Sequence, residues 1–111
     1  WVVAGGEVRQ TEFDATRLGL PASTVDDLRG ADPAHNAAVA REVLSGAGGI
    51  VSDAVALNAA AGMVAHGLEG TREGTLEDRL AGGLSIAREV LRTGRAQDVL
   101  ERWVAFSRSA G

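Results

Sequence analysis

Several groups of residues in this 111-residue sequence have the types and spacing from which chemistry is usually built. Gly46-Ala47-Gly48-Gly49 leads into an apolar segment in the manner of a phosphate cradle, where backbone N–H groups at a helix start face an anion. A dinucleotide fingerprint needs a third glycine where Val51 stands, and a P-loop needs a lysine, which the sequence lacks. The glycines read better as a tight turn between two helices. His35 and His66 are solitary, with no partner at metal-ligand spacing. Asp26-Asp27 has the look of a cation site, but it lies in a first helical turn, where acids complement the helix dipole. No serine stands in a G-x-S-x-G elbow. Glu77-Asp78-Arg79 reads as a solvated face. No catalytic, substrate-binding or metal-ligating position is assigned within the chain.

The stretch from Gly46 to Gly67 is the segment around which the others must be arranged. Between Val43 and Leu68 the only formally charged residue is Asp53. A helix apolar on nearly all sides belongs inside an assembly, so this one is expected at the core, wrapped by the other segments. Asp53, in its first turn, is expected to meet free backbone N–H groups and the positive end of the dipole. Asn58, mid-helix among alanines, reads as a buried structural clamp, with a ligand contact as the alternative.

Composition bounds the class. The sequence is 45% hydrophobic and 23% charged, which is globular, and its length allows one modest domain burying roughly two-thirds of its unfolded surface. Net charge is −4, and all 11 basic residues are arginines scattered without a run, which argues against nucleic acid as a partner. The absence of cysteine excludes disulfides, zinc-thiolate sites and cysteine nucleophiles. The apolar run from Ala54 to Val64 is shorter than a membrane span and holds Asn58 and Gly62, so no membrane partner is expected and a cytoplasmic location is the default. The chain opens on Trp1-Val2-Val3, already within a strand pattern, and so reads as a piece of something larger.

In chain order, Gly5-Gly6 between two short β-type runs predicts a hairpin over 1-12. Phe13 to Leu20 reads as an irregular connection. Ser23-Thr24-Val25-Asp26 is a capping-box variant opening a short helix over about 24-29. Asp32-Pro33 starts a helix over 33-45, followed by the central one over 51-67. Thr75 opens a helix over 76-93, in which Leu76, Leu80, Leu84, Ala87 and Leu91 form one stripe. Gly82-Gly83 inside that stripe implies close approach of another backbone, most simply the Ala61-Gly62 surface. The last helix spans 96-108, with Val99, Trp103 and Phe106 on one side. The architecture is mainly α with a short β-hairpin.

Taken together, several segments resemble one family. They are Leu20-Pro21, Asp27-Leu28-Arg29-Gly30-Ala31-Asp32, Val43-Leu44-Ser45-Gly46, Ser52 through Ala60, Gly83 through Glu89, and Thr93-Gly94-Arg95-Ala96. In that order they resemble the C-terminal part of anthranilate phosphoribosyltransferase, over nearly the whole chain. The departures are Ser52, where a basic residue is common, and Thr93, where serine is usual. The resemblance implies the α/β catalytic domain of the nucleoside phosphorylase and phosphoribosyltransferase type. It implies transfer of phosphoribosyl from phosphoribosyl pyrophosphate to anthranilate in tryptophan biosynthesis, with Mg2+, in a homodimeric parent. The family's diphosphate loop and acidic magnesium pair match no position here, so no site residue is carried over and the chain alone is expected to be inactive. A free-standing helical interaction module is the alternative from a different class, and a pyrimidine nucleoside phosphorylase is a third.

Overall fold

The computed structural model describes residues 1–110. Two three-residue strands, β1 (Val2–Ala4) and β2 (Glu7–Arg9), form an antiparallel hairpin with Val3 opposite Val8. Gly5 and Gly6 turn it with φ of 59° and 79°, the two positive values a type I′ turn requires. Four helices follow: α1 (Pro33–Leu44), α2 (Ile50–His66), α3 (Leu76–Arg92) and α4 (Arg95–Ser109). The architecture is mainly helical with one two-stranded hairpin.

Each helix start has a local cause. The Asp32 carboxylate accepts from the His35 N–H at 2.9 Å, and Pro33 supplies the first helical φ of α1. Thr75 and Asp78 close a reciprocal capping box at the head of α3, with Thr75 Oγ1 donating to Asp78 Oδ2 at 2.7 Å. The segment read as a helix over 24-29 is instead a single 3-10 turn, Asp26–Leu28. Its box lies one residue later than the sequence suggests, between Thr24 and Asp27. Val25 is 80% exposed and Leu28 47%, so the turn has almost no apolar face to bury, and a cap alone does not propagate a helix. The connection before it contains a second 3-10 turn, Ala15–Leu18, capped by Asp14.

The core is the contact between α2 and α3. Every fourth residue of α2, from Ser52 through Ala56 and Ala60 to Val64, is buried. Opposite them stand Leu80, Gly83, Leu84, Ala87 and Leu91 of α3, and Leu20 and Val43 complete the cluster. The glycines set the distance. A Cβ on Gly83 would lie 2.9 Å from the Ala60 Cα, and one on Gly82 would overlap the Gly70 carbonyl oxygen. The close neighbours are therefore Ala60 and the α2–α3 loop, and not the Ala61-Gly62 surface; a Cβ on Gly62 would meet open space.

The wrapping expected around α2 is incomplete. Its α3-facing side is covered and it also touches the Asp26–Leu28 turn and α1, while Val55, Asn58, Ala59, Ala61 and Gly62 are exposed. No residue of α4 is buried, and Val99, Trp103 and Phe106 lie open along it. The accessible surface is 7997 Å², against about 5,800 Å² for a compact monomer of this mass. The chain thus buries about half of its extended-chain surface, where two-thirds was expected. The reason is a single helix–helix seam with long helices splayed from it.

Because both glycines of α3 abut backbone, Gly82→Ala and Gly83→Ala should each destabilise the chain by about 1–3 kcal/mol despite better helix propensity. Thermal melts of the two single variants check this. A rise in melting temperature for either one would mean the corresponding backbone contact is absent.

Candidate functional site

The candidate phosphate cradle lies where the α1–α2 turn meets the C-terminal half of α3. Gly46, at φ 90°, sits against the Leu91 carbonyl, and a Cβ there would lie 3.0 Å from that oxygen. Gly49, at φ 113°, precedes α2 and supplies no side-chain cap. A shallow cleft here is lined by Gly48, Ser52, Asp53, Arg88 and Arg92. Its charges are already engaged. Asp53 does not cap its own helix; it lies one position too far along to reach back, and its carboxylate accepts from Arg88 of α3 at 2.9 Å. Arg92 donates to both Glu89 oxygens, at 2.7 and 2.9 Å, and these bonds hold the Glu89 carboxyl below its usual range. One pair, Asp53 with Arg88, braces α2 against α3, the other lies within α3, and the glycines serve the turn.

The other candidates disperse in the same way. His35 and His66 are exposed, His35 in the first turn of α1 and His66 in the last turn of α2. Asp26 pairs with Arg29 at 2.7 Å. Asp27 accepts from the Thr24 backbone N–H at 2.7 Å and from the Thr24 hydroxyl at 2.8 Å, and both bonds lower its pKa. Asp26 and Asp27 thus engage different partners, and among the described residues no three His, Cys, Asp or Glu side chains gather. Asn58 is exposed and not a buried clamp. Its amide donates to the Ala54 carbonyl of its own helix at 2.8 Å, which satisfies the donor without any partner element.

Two residues carry more than their sequence context suggests. Thr71, in the polar loop between α2 and α3, is fully buried, and its hydroxyl donates to the Leu68 carbonyl at 2.7 Å. Arg79 is not part of a solvated face. Its guanidinium donates to the Thr71 carbonyl at 2.9 Å and to the Val64 carbonyl at 3.2 Å, tying the last turn of α2 to the loop. Arg72 adds a bond to the Gly67 carbonyl. Glu77 reaches Arg17 at 2.7 Å, and Asp78 closes the capping box. The only advance signal for Arg79 was its place one turn into a helix that follows a glycine-flanked loop. A groove between the hairpin, α2 and α3 is lined mainly by apolar groups, including Trp1, Phe13, Val64 and Leu80, with His66 at its edge. These arrangements position backbone; none brings a nucleophile, an acid–base pair and an anion cradle together.

Residues 1–97 match the sequence model of the glycosyl transferase family, a/b domain, and the chain belongs to that family. Within it, the similar proteins are anthranilate phosphoribosyltransferases. The one from Arthrobacter sp. (strain FB24) is 51% identical over 108 residues, covering 97% of this chain and 30% of the relative. Those from Nocardia farcinica and Streptomyces griseus are 43% and 48% identical, covering 100% and 96% of this chain and 33% and 29% of the relatives. The chain therefore spans about a third of the length of the curated relatives it matches. No solved structure matches it. Among the described residues no helix is long and apolar enough to cross a membrane.

Arg79→Met keeps the stem but removes the bonds to Val64 and Thr71, and should cost about 1–3 kcal/mol. Asn58→Ala, at an exposed self-satisfied position, should stay within about 0.5 kcal/mol of the parent chain. Denaturant titrations of the two variants check the contrast. Acid provides a second check. Asp14, Asp27 and Asp78 are each held below the usual aspartate range by threonine hydrogen bonds. A depressed folded-state pKa contributes stability that is complete above the unfolded value, about 4, and is lost as pH falls through the lower folded value. Asp78→Asn should therefore lower the melting temperature at neutral pH and flatten its fall below pH ~4.

Proposed function

We propose that this chain is a scaffold portion of an anthranilate phosphoribosyltransferase. The parent enzyme moves the phosphoribosyl group of phosphoribosyl pyrophosphate onto the amine of anthranilate, a step of tryptophan biosynthesis. The observation that carries the reading is the 51% identity across 97% of the chain to a protein of that name. Local chemistry agrees with a supporting role, since the arginines and acids of the α2–α3 corner neutralise one another in pairs. The diphosphate and any magnesium would be held elsewhere in the parent, since no position here matches the family's diphosphate loop or acidic pair. What this chain supplies is a rigid helical pair with a braced loop at one end. By the same resemblance the parent is a cytoplasmic homodimer.

The test is an assay of anthranilate consumption with phosphoribosyl pyrophosphate and magnesium. The 111-residue chain alone should show no turnover. Replacing the matching segment of the Arthrobacter enzyme with this chain should give an active chimera. Turnover by the chain alone would refute the scaffold role, and a folded but inactive chimera would refute the enzyme assignment.

A further inference from the structure

Two polar side chains are buried among the described residues, Thr71 and Ser52. Thr71 spends its hydroxyl on the Leu68 carbonyl at 2.7 Å. Ser52 is only 9% exposed, yet among the described residues no hydrogen bond engages its hydroxyl. That hydroxyl is not sealed off. It opens on a cleft of about 250 Å³ between the α1–α2 turn and α3, shared with Gly48, Asp53, Arg88 and Arg92. A buried hydroxyl ordinarily has a partner, so an unpartnered one facing a cleft points to a ligand that supplies an acceptor. Backbone donors stand beside it. The first bond of α2 runs from the Asp53 N–H to the Gly49 carbonyl at 2.9 Å, and no side chain caps the helix. The N–H groups of Ile50, Val51 and Ser52 therefore have no acceptor among the described residues. Gly48 has open space where a Cβ would stand, so nothing obstructs the approach to them.

We propose that the head of α2 binds a single tetrahedral oxyanion, inorganic phosphate or the phosphoryl group of a small molecule, with the Ser52 hydroxyl and backbone N–H donating to it. The free N–H groups and the positive end of the helix dipole favour an anion there. The rim adds donors without net charge, because Asp53 and Glu89 balance Arg88 and Arg92. Arg88 gives Asp53 its Nη2, and Arg92 gives Glu89 its Nε and Nη2. The Nη1 group of each remains for the anion, so neither ion pair has to break. A cation is not favoured, since the one carboxylate lining the cleft, that of Asp53, already accepts from Arg88. The proposal stands independently of the transferase reading.

The test is an amide NMR titration of the isotopically labelled 111-residue chain with inorganic phosphate, with sodium chloride at matched ionic strength as the control. The proposal expects saturable shifts concentrated at the amides of Gly48 through Asp53, and no such response to chloride. Ser52→Ala should weaken phosphate binding about tenfold, as loss of a hydrogen bond to a charged group does. The same spectra show whether the variant is folded, and the parent chain's shift map tests the site without any variant. Glycerol 2-phosphate is the second titrant. Tighter binding than inorganic phosphate assigns the site to a phosphorylated small molecule, and equal or weaker binding assigns it to the free ion; both support the site. Three results would overturn it. They are the absence of saturable shifts at the head of α2, a pattern that chloride reproduces or that spreads over all the arginines, and a folded Ser52→Ala chain that binds phosphate as tightly as the parent.

Discussion

The structure depends on how closely α3 can approach α2. Gly83 lies against Ala60 and Gly82 against the Gly70 carbonyl, so the two backbones meet with almost no side chain between them. Small residues at a seam bury little apolar area themselves. Their effect is to bring Leu84 and Leu91 of α3 into one packed cluster with Ala56 and Ala60 of α2 and with Leu20 and Val43. The same approach sets the α2–α3 loop, whose carbonyls then need donors. Arg79 and the Thr71 hydroxyl supply them, and the bond from Arg79 to the Val64 carbonyl ties α3 directly to the end of α2.

Much of this was legible in the residues. The leucine stripe of α3 runs at spacings of three and four, which a helix alone puts on one side, and Gly5-Gly6 needs positive φ values that a hairpin turn provides. The glycine pair of α3 announced a close neighbour. It did not announce which one, because stepping from Ala60 to Ala61 rotates the contact by about 100° around the helix and composition is the same at both. Asn58 was misread for a related reason. Apolar neighbours in sequence imply burial only if that side of the helix is fully covered, and among the described residues Asn58 stays exposed. Arg79 was missed because an arginine beside two acids defaults to solvent, and only the geometry of the α2 terminus gives its guanidinium two carbonyls to hold.

The functional assignment and the physical reading meet at the charges. Near the glycine turn, Arg88 of α3 pairs with Asp53 of α2 across the two helices, and Arg92 pairs with Glu89 within α3. The chain belongs to a glycosyl transferase α/β family, and the sheet among its described residues is one two-stranded hairpin.

Native-state amide hydrogen exchange on the 111-residue chain tests the central claim, that the α2–α3 seam is the unit on which everything else rests. The account predicts that amides from Ala56 to Val64 and from Leu80 to Leu91 exchange most slowly and share one opening free energy, while the hairpin and α4 exchange through local opening. If α2 and α3 open with different free energies, or if α4 is the best-protected element, the seam is not the organising contact.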